Sequence, residues 1–139
     1  MTSKQDQYNE LAYYTLAHRD AAFIHQHVVD AFAAQNADEH TKPIAITFAL
    51  VGLYLYLEKG FTGRQVQRMH MLLAKQRKEW PKFTPPQQRG AIAAADVLAA
   101  LPGRDRDAMI RQWAASVWDA WKQSRDQVAA LVKKELDVS

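Results

Sequence analysis

The sequence predicts an all-α fold: a single-domain bundle of about six helices around a buried central helix, Pro43–Glu58, with a long C-terminal helix. Three observations carry this. Apolar residues recur at helical spacing between Pro, Gly and Asp/Thr punctuation, and no stretch alternates as a strand does. The segment from Pro43 to Glu58 is apolar nearly all round, as helices buried on several sides are. Three of the four tryptophans fall between Trp113 and Trp121; at 100° per residue, Trp113, Val117 and Trp121 form one stripe and Trp118 lies beside it. A stripe of that size needs a partner surface, in this chain or in a second copy.

Taken in order, the first helix runs from about Gln7 to Ala17, with Tyr8, Leu11, Ala12 and Leu16 as its apolar positions. The chain breaks near His18-Arg19-Asp20, and Asp20 is the expected N-cap of a second helix from Ala21 to Gln35. Ile24, Val28, Ala31 and Phe32 form the apolar arc of that helix. A polar loop leads to Pro43 in the first turn of the central helix, and Gly60 supplies a left-handed cap at its end.

Thr62 and Gln65 make a capping box for a fourth helix, which runs to about Trp80-Pro81. Its stripe is Val66, Met69, His70, Leu73 and Arg77. Thr84-Pro85 opens an alanine-rich fifth helix with Ile92, Ala95, Leu98 and Ala99 on its packing side, and Pro102-Gly103 stops it. The sixth helix starts near Asp105 or Asp107 and reaches Leu136, roughly 45 Å at 1.5 Å per residue. That overshoots a domain of about 14–15 Å radius of gyration. Its second half, with Val128, Leu131 and Val132, therefore packs on a partner subunit or kinks back.

Bulk properties narrow the function classes. The 139 residues suit one domain, with fraying expected at 1–6 and 137–139. There is no cysteine, which removes disulfides, thiolate metal sites and cysteine nucleophiles. The N-terminus lacks a signal-peptide core, and the longest apolar run, Ile44 to Leu57, is broken by Thr47 and is too short for the ~20 residues of a span. The expectation is a cytoplasmic protein without a membrane segment. A net charge of +3 is small but uneven: residues 1–40 are acidic, and residues 59–89 carry Lys59, Arg64, Arg68, Lys75, Arg77, Lys78, Lys82 and Arg89 against Glu79 alone. Either the basic segment meets nucleic acid, or the two segments face each other, within a subunit or across a homodimer. The second is preferred, because the cations are not interleaved with aromatics as single-strand binding requires.

The order of three segments resembles a known family. Val-Val-Asp-Ala-Phe-Ala-Ala-Gln at 28–35, Leu-Val-Gly-Leu-Tyr-Leu-Tyr-Leu-Glu-Lys-Gly at 50–60, and Trp113–Trp121 are together similar to a bacterial family of small helical proteins catalogued only as a domain of unknown function. Asp30 and Gln35 match its second-helix motif; Phe32 and Asn36 stand where the resemblance implies tyrosine and histidine. The resemblance supports the helical fold and lends no activity.

The histidines are the one suggestive set for chemistry. Imidazole and carboxylate suit zinc, nickel or iron, and His25, His27 and Asp30 on the second helix with His70 on the fourth are the candidate metal ligands. His25 and His27 diverge by about 200° on a helix, so they do not serve one metal without distortion; His27 and Asp30 share a face. The plain alternative is that these are hydrogen-bonded core or interface residues. For a small organic ligand, His25, His70, Tyr54 and Trp113 are the candidates lining an apolar pocket, against plain core packing. Phosphate loops, nucleophile elbows and paired-carboxylate stripes are absent. The preferred expectation is a homo-oligomeric binding or assembly module, favoured over an enzyme; a metal- or small-molecule-binding protein with a His/Asp site, with catalysis left open, is the alternative, and nucleic-acid binding through residues 59–89 the third.

Overall fold

A computed structural model describes residues 2–18, 20–76 and 79–139. Among these residues, seven α-helices follow in order: α1 (Lys4–His18), α2 (His25–Gln35), α3 (Pro43–Lys59), α4 (Gly63–Gln76), α5 (Ala94–Ala99), α6 (Arg104–Ala120) and α7 (Arg125–Leu136). A 3₁₀ turn, Lys122–Ser124, joins the last two. There is no strand among the described residues.

The predicted all-α bundle forms, with α3 at its centre. That helix packs against α2, α4, α6 and α7, and every residue from Ala49 to Leu55 is buried. Leu50, Leu53 and Leu55 are fully enclosed, each contributing about 1.5–3 kcal/mol relative to exposure. Thr47, also buried, donates to the Pro43 carbonyl at 2.8 Å. Gly60 takes the left-handed conformation (φ 71°), and the Phe61 N–H closes the end of the helix on the Leu55 carbonyl. The Thr62–Gln65 capping box is formed in both directions, at 3.2 and 2.8 Å.

The long C-terminal helix is a correction. It breaks after Ala120, and α7 folds back onto α3 and α4. Across the break, the Glu58 carboxylate accepts from the Trp118 indole at 2.6 Å and from Arg125 at 2.7 and 2.6 Å. Trp121 inserts into the core and donates to the Ala34 carbonyl at 3.1 Å. Val128 and Val132 are fully buried and Leu131 nearly so. Of the two fates expected for this surface, a partner subunit or a kink back, the kink back is the one observed, and the surface is used inside the chain.

The alanine-rich fifth helix is also shorter than expected, starting at Ala94 instead of Thr84. Pro85 and Pro86 withhold two N–H donors, and Gly90 sits at φ 100° with its backbone against the Ser116 carbonyl, where a Cβ would lie 3.0 Å from oxygen. The backbone of this segment is held by side chains instead. Gln35 donates to the carbonyls of Arg89 (3.0 Å) and Ile92 (2.7 Å).

Smaller shifts occur at helix starts. α1 begins at Lys4, three residues early, because Ser3 Oγ accepts from the Asp6 N–H at 3.0 Å. Asp20 caps a turn, accepting from the Ile24 N–H at 3.0 Å; Phe23 then takes a positive φ of 57°, so α2 starts at His25. α4 ends at Gln76, and Arg77 of its predicted stripe lies outside the described residues. Tyr14 ties α1 to the start of α6, accepting from the Gly103 N–H at 2.8 Å and donating to Asp107 at 2.9 Å.

Candidate functional site

α2 carries three of the four candidate metal ligands, and its packing separates them. His25, in the first turn, points to α1, where Nδ1 lies 2.9 Å from the Thr15 hydroxyl. The Thr15 hydroxyl also lies within reach of two carbonyls of its own helix, Leu11 at 3.2 Å and Ala12 at 3.0 Å. His70 on α4 donates from Nε2 to the Phe48 carbonyl at 2.7 Å and stacks on the Phe48 ring at 4.9 Å. Burial pushes the pKa of both histidines down. Among the described residues no three His, Asp or Glu side chains come together as a metal requires. His25, His27, Asp30 and His70 are therefore not brought together as one group. Helix rotation sends His25 to α1 and His27 to α3, while a backbone carbonyl engages His70.

The other two ligand candidates are packing residues. Trp113 is fully buried and donates its indole N–H to Gln35 Oε1 at 2.9 Å. Tyr54 is buried on α3, with its ring 6.1 Å from that of Trp118 and Lys59 above it. None of His25, His70, Tyr54 and Trp113 lines the cavities beside Arg89, beside Glu58 or beside Trp121 among the described residues.

His27 and Asp30 are different. Both are buried, 4% and 3% exposed, and both face α3. The His27 ring lies flat on Tyr56, 3.4 Å between centroids and 8° between planes. Asp30 presses against Gly52, where a Cβ would come 1.9 Å from Oδ2. The glycine lets the carboxyl reach this depth, and a lone glycine inside an apolar helix was the one sequence signal for close approach. Gln26 donates to Asp30 Oδ1 at 3.2 Å, while Asp30 Oδ2 and His27 Nδ1 are buried with no hydrogen-bond partner among the described residues. Desolvation holds His27 neutral, with its pKa lowered to about 4 and opposed by the charge of Asp20. Desolvation also raises the Asp30 pKa well above its ordinary value, against the lowering effect of the Gln26 bond. A carboxyl whose pKa is raised and an imidazole whose pKa is lowered thus share one helix face. Each keeps one buried polar atom to offer to a small hydrogen-bonding molecule.

The three segments behind the family resemblance meet in space. Asp30 touches Gly52, Gln35 accepts from Trp113, Ala34 accepts from Trp121, and Glu58 accepts from Trp118. Each of the three indole N–H groups is satisfied by one of the other two segments. Residues 5–122 match the family model described as "Family of unknown function (DUF5946)". The chain belongs to this family. No curated protein and no solved structure matches it. In this DUF5946 chain, Gln35 has an architectural role, because its amide serves Trp113, Arg89 and Ile92 together. Sequence reading missed that hub, along with Arg89, whose guanidinium binds the Ala37 carbonyl. Neither has a local pattern, because the partners are more than 50 positions away.

Proposed function

We propose that the protein is a homo-oligomeric assembly module that associates with copies of itself through the outer faces of α1 and α4. One observation carries this reading, the complementarity of those two faces. On α4, Arg64, Arg68, Met71, Leu72 and Lys75 are exposed along one stripe of about 100°. On α1, Asp6, Glu10, Tyr13, Leu16 and Ala17 are exposed along another. Tyr13, Leu16, Met71 and Leu72 are 76%, 53%, 59% and 42% exposed, which is unusual company for large apolar side chains outside an interface.

The order of residue types matches as well. In a parallel pairing, Asp6 meets Arg64, Glu10 meets Arg68 and Tyr13 meets Met71, since the spacings of four and three residues are the same in both helices. No ion pair joins α1 to α4 within the chain among the described residues; Arg64 rests on the Phe23 ring and Gln67 but has no counter-charge there. An apolar centre with a charged rim is the usual anatomy of such contacts.

Sedimentation velocity across a concentration series tests the reading. The expected result is a mass above the 15.8 kDa of one chain, decreasing in high salt as exposed pairs are screened. Glu10→Arg and Arg68→Glu each weaken association, and the double exchange restores it. A monomer at every concentration overturns assembly; an oligomer indifferent to both exchanges overturns the α1–α4 contact. Of the basic segment, Arg89 is turned inward to the Gln35 and Ala37 carbonyls, and Arg77 and Lys78 lie outside the described residues. No helix among the described residues is long and apolar enough to cross a membrane.

A further inference from the structure

Beside the C-terminal end of α2 lies a cavity of about 140 Å³. Phe32, Ala93 and Ala94 form its apolar part, and Gln7, Gln35 and Asn36 bring amides to it. Lys4 and Arg89 are its two charged residues, and no carboxylate lines it among the described residues. Arg89 is half-buried. One of its nitrogens, Nη1, binds the carbonyls of Ala37 and Gln35, and no other guanidinium nitrogen makes a hydrogen bond among the described residues. No ion pair neutralises it there either.

A half-buried guanidinium without a carboxylate is uncommon, because charge taken out of water is normally compensated. The carbonyls of Gln35, the last residue of α2, and of Ala37, just past it, hold the Arg89 side chain in place near the negative end of a helix. They use one nitrogen and leave Nε and Nη2, the edge that grips a carboxylate through two parallel bonds. Gln35 contributes no free donor, since its amide hydrogens are taken by Arg89 and Ile92 carbonyls. Asn36 donates to the Phe32 carbonyl at 2.9 Å, which fixes the Asn36 side chain at the cavity wall. A cavity of ~150 Å³ accommodates benzene, so this one takes an anion with a compact apolar body.

We infer that this cavity is a binding site for a small organic carboxylate, its anionic end on Arg89 and Lys4 and its apolar end on Phe32, Ala93 and Ala94. The inference is independent of self-assembly. The two sites share only α1, and Lys4 is not in the exposed stripe proposed for docking.

Benzoate is the probe, with benzamide as its neutral counterpart of nearly the same shape. The measurement is a two-dimensional ¹H–¹⁵N NMR titration of the full chain, following the side-chain amides of Gln7, Gln35 and Asn36. Benzoate is expected to move these signals saturably, and benzamide to bind at least about tenfold more weakly, as loss of a charged hydrogen-bond partner implies. Arg89→Gln removes benzoate binding. Should that variant fail to fold, Lys4→Gln decides, because Lys4 is exposed and its loss leaves the fold intact: benzoate affinity drops several-fold while benzamide is unaffected. Equal binding of the two probes, or shifts elsewhere with none at these amides, overturns the site.

Discussion

Two sets of buried polar groups on α2 have opposite fates. Near its C-terminal end, Gln35 and the Ala34 carbonyl meet the indoles of Trp113 and Trp121, and every hydrogen bond offered is taken. One and two turns earlier, Asp30 and His27 are buried more deeply than the part-buried Gln35, yet each keeps one atom without a partner among the described residues. The first region shows how a large aromatic cluster is enclosed without loss: each indole N–H trades water for a protein acceptor. The second retains a desolvation cost of about 1–3 kcal/mol per orphaned group, which packing elsewhere has to offset. Architecture explains the first region fully and the second only in part.

The largest test strikes the satisfied region. Trp113→Ala removes a fully buried indole and is expected to cost about 3–5 kcal/mol in urea unfolding. A loss under about 1 kcal/mol, the scale of an ordinary surface change, would show that the cluster is not the centre of the fold. Next, Gln35→Ala strands the Trp113 N–H and the carbonyls of Arg89 and Ile92, at about 1–3 kcal/mol per stranded group. Hydrogen exchange should rise first in residues 89–92, because Gln35 is the tie that holds that segment to α2.

Gly52→Ala probes the other region. Its Cβ would fall 1.9 Å from Asp30 Oδ2, so destabilisation of about 1–3 kcal/mol is expected. On an Asp30→Ala background most of that cost should vanish, giving a coupling energy of about 1 kcal/mol or more. Additive effects would show that the carboxyl does not occupy the groove at Gly52.

In the parent chain the smallest effect is a pH slope, because two opposed slopes cancel there. Asp30 has a folded pKa above its unfolded value of 3.8, so its contribution to stability is complete below pH 3.8 and is lost as pH rises towards the folded value. His27 has a folded pKa near 4 against 6.5 unfolded; its contribution is complete above 6.5 and is lost as pH falls towards 4. Where the two windows overlap, the folded chain holds one proton more on Asp30 and one fewer on His27, and the slopes oppose each other. Each alone is worth about 1.4 kcal/mol per pH unit. Asp30→Asn should expose the histidine slope, with unfolding midpoints dropping as pH falls from 6.5 to 4. His27→Gln should expose the opposite one. Profiles parallel to the parent chain in both variants would show that the pair is not titrating as its burial requires.

Local chemistry made much of the fold legible. Pro43, Gly60, Thr62 and Gln65 act within one helical turn of themselves, so the bounds of α3 and the start of α4 are readable from the sequence. Failures came where a distant partner outweighed local pattern. The periodic run from Asp105 to Leu136 reads as one helix, but Glu58 and the seat of Trp121 bend it. The alanine-rich run after Thr84 reads as helix from its start, but Gln35 and two prolines hold the residues before Ala94 irregular. At the candidate sites, residue types were legible and convergence was not: His25, His27, Asp30 and His70 are all present, and helix rotation sends them to different neighbours.

By itself, then, the sequence determined the helical class, the central position of α3, the helix signals at Pro43, Gly60 and Thr62–Gln65, and the separation of acidic from basic segments, because each follows from spacing along one element. Only the tertiary structure decided that α7 folds inward, that Arg89 lies beside a cavity with no carboxylate among the described residues, and that Asp30 is enclosed against a glycine. Those outcomes depend on which elements touch, and contacts between residues more than 50 positions apart leave no periodic trace in the chain.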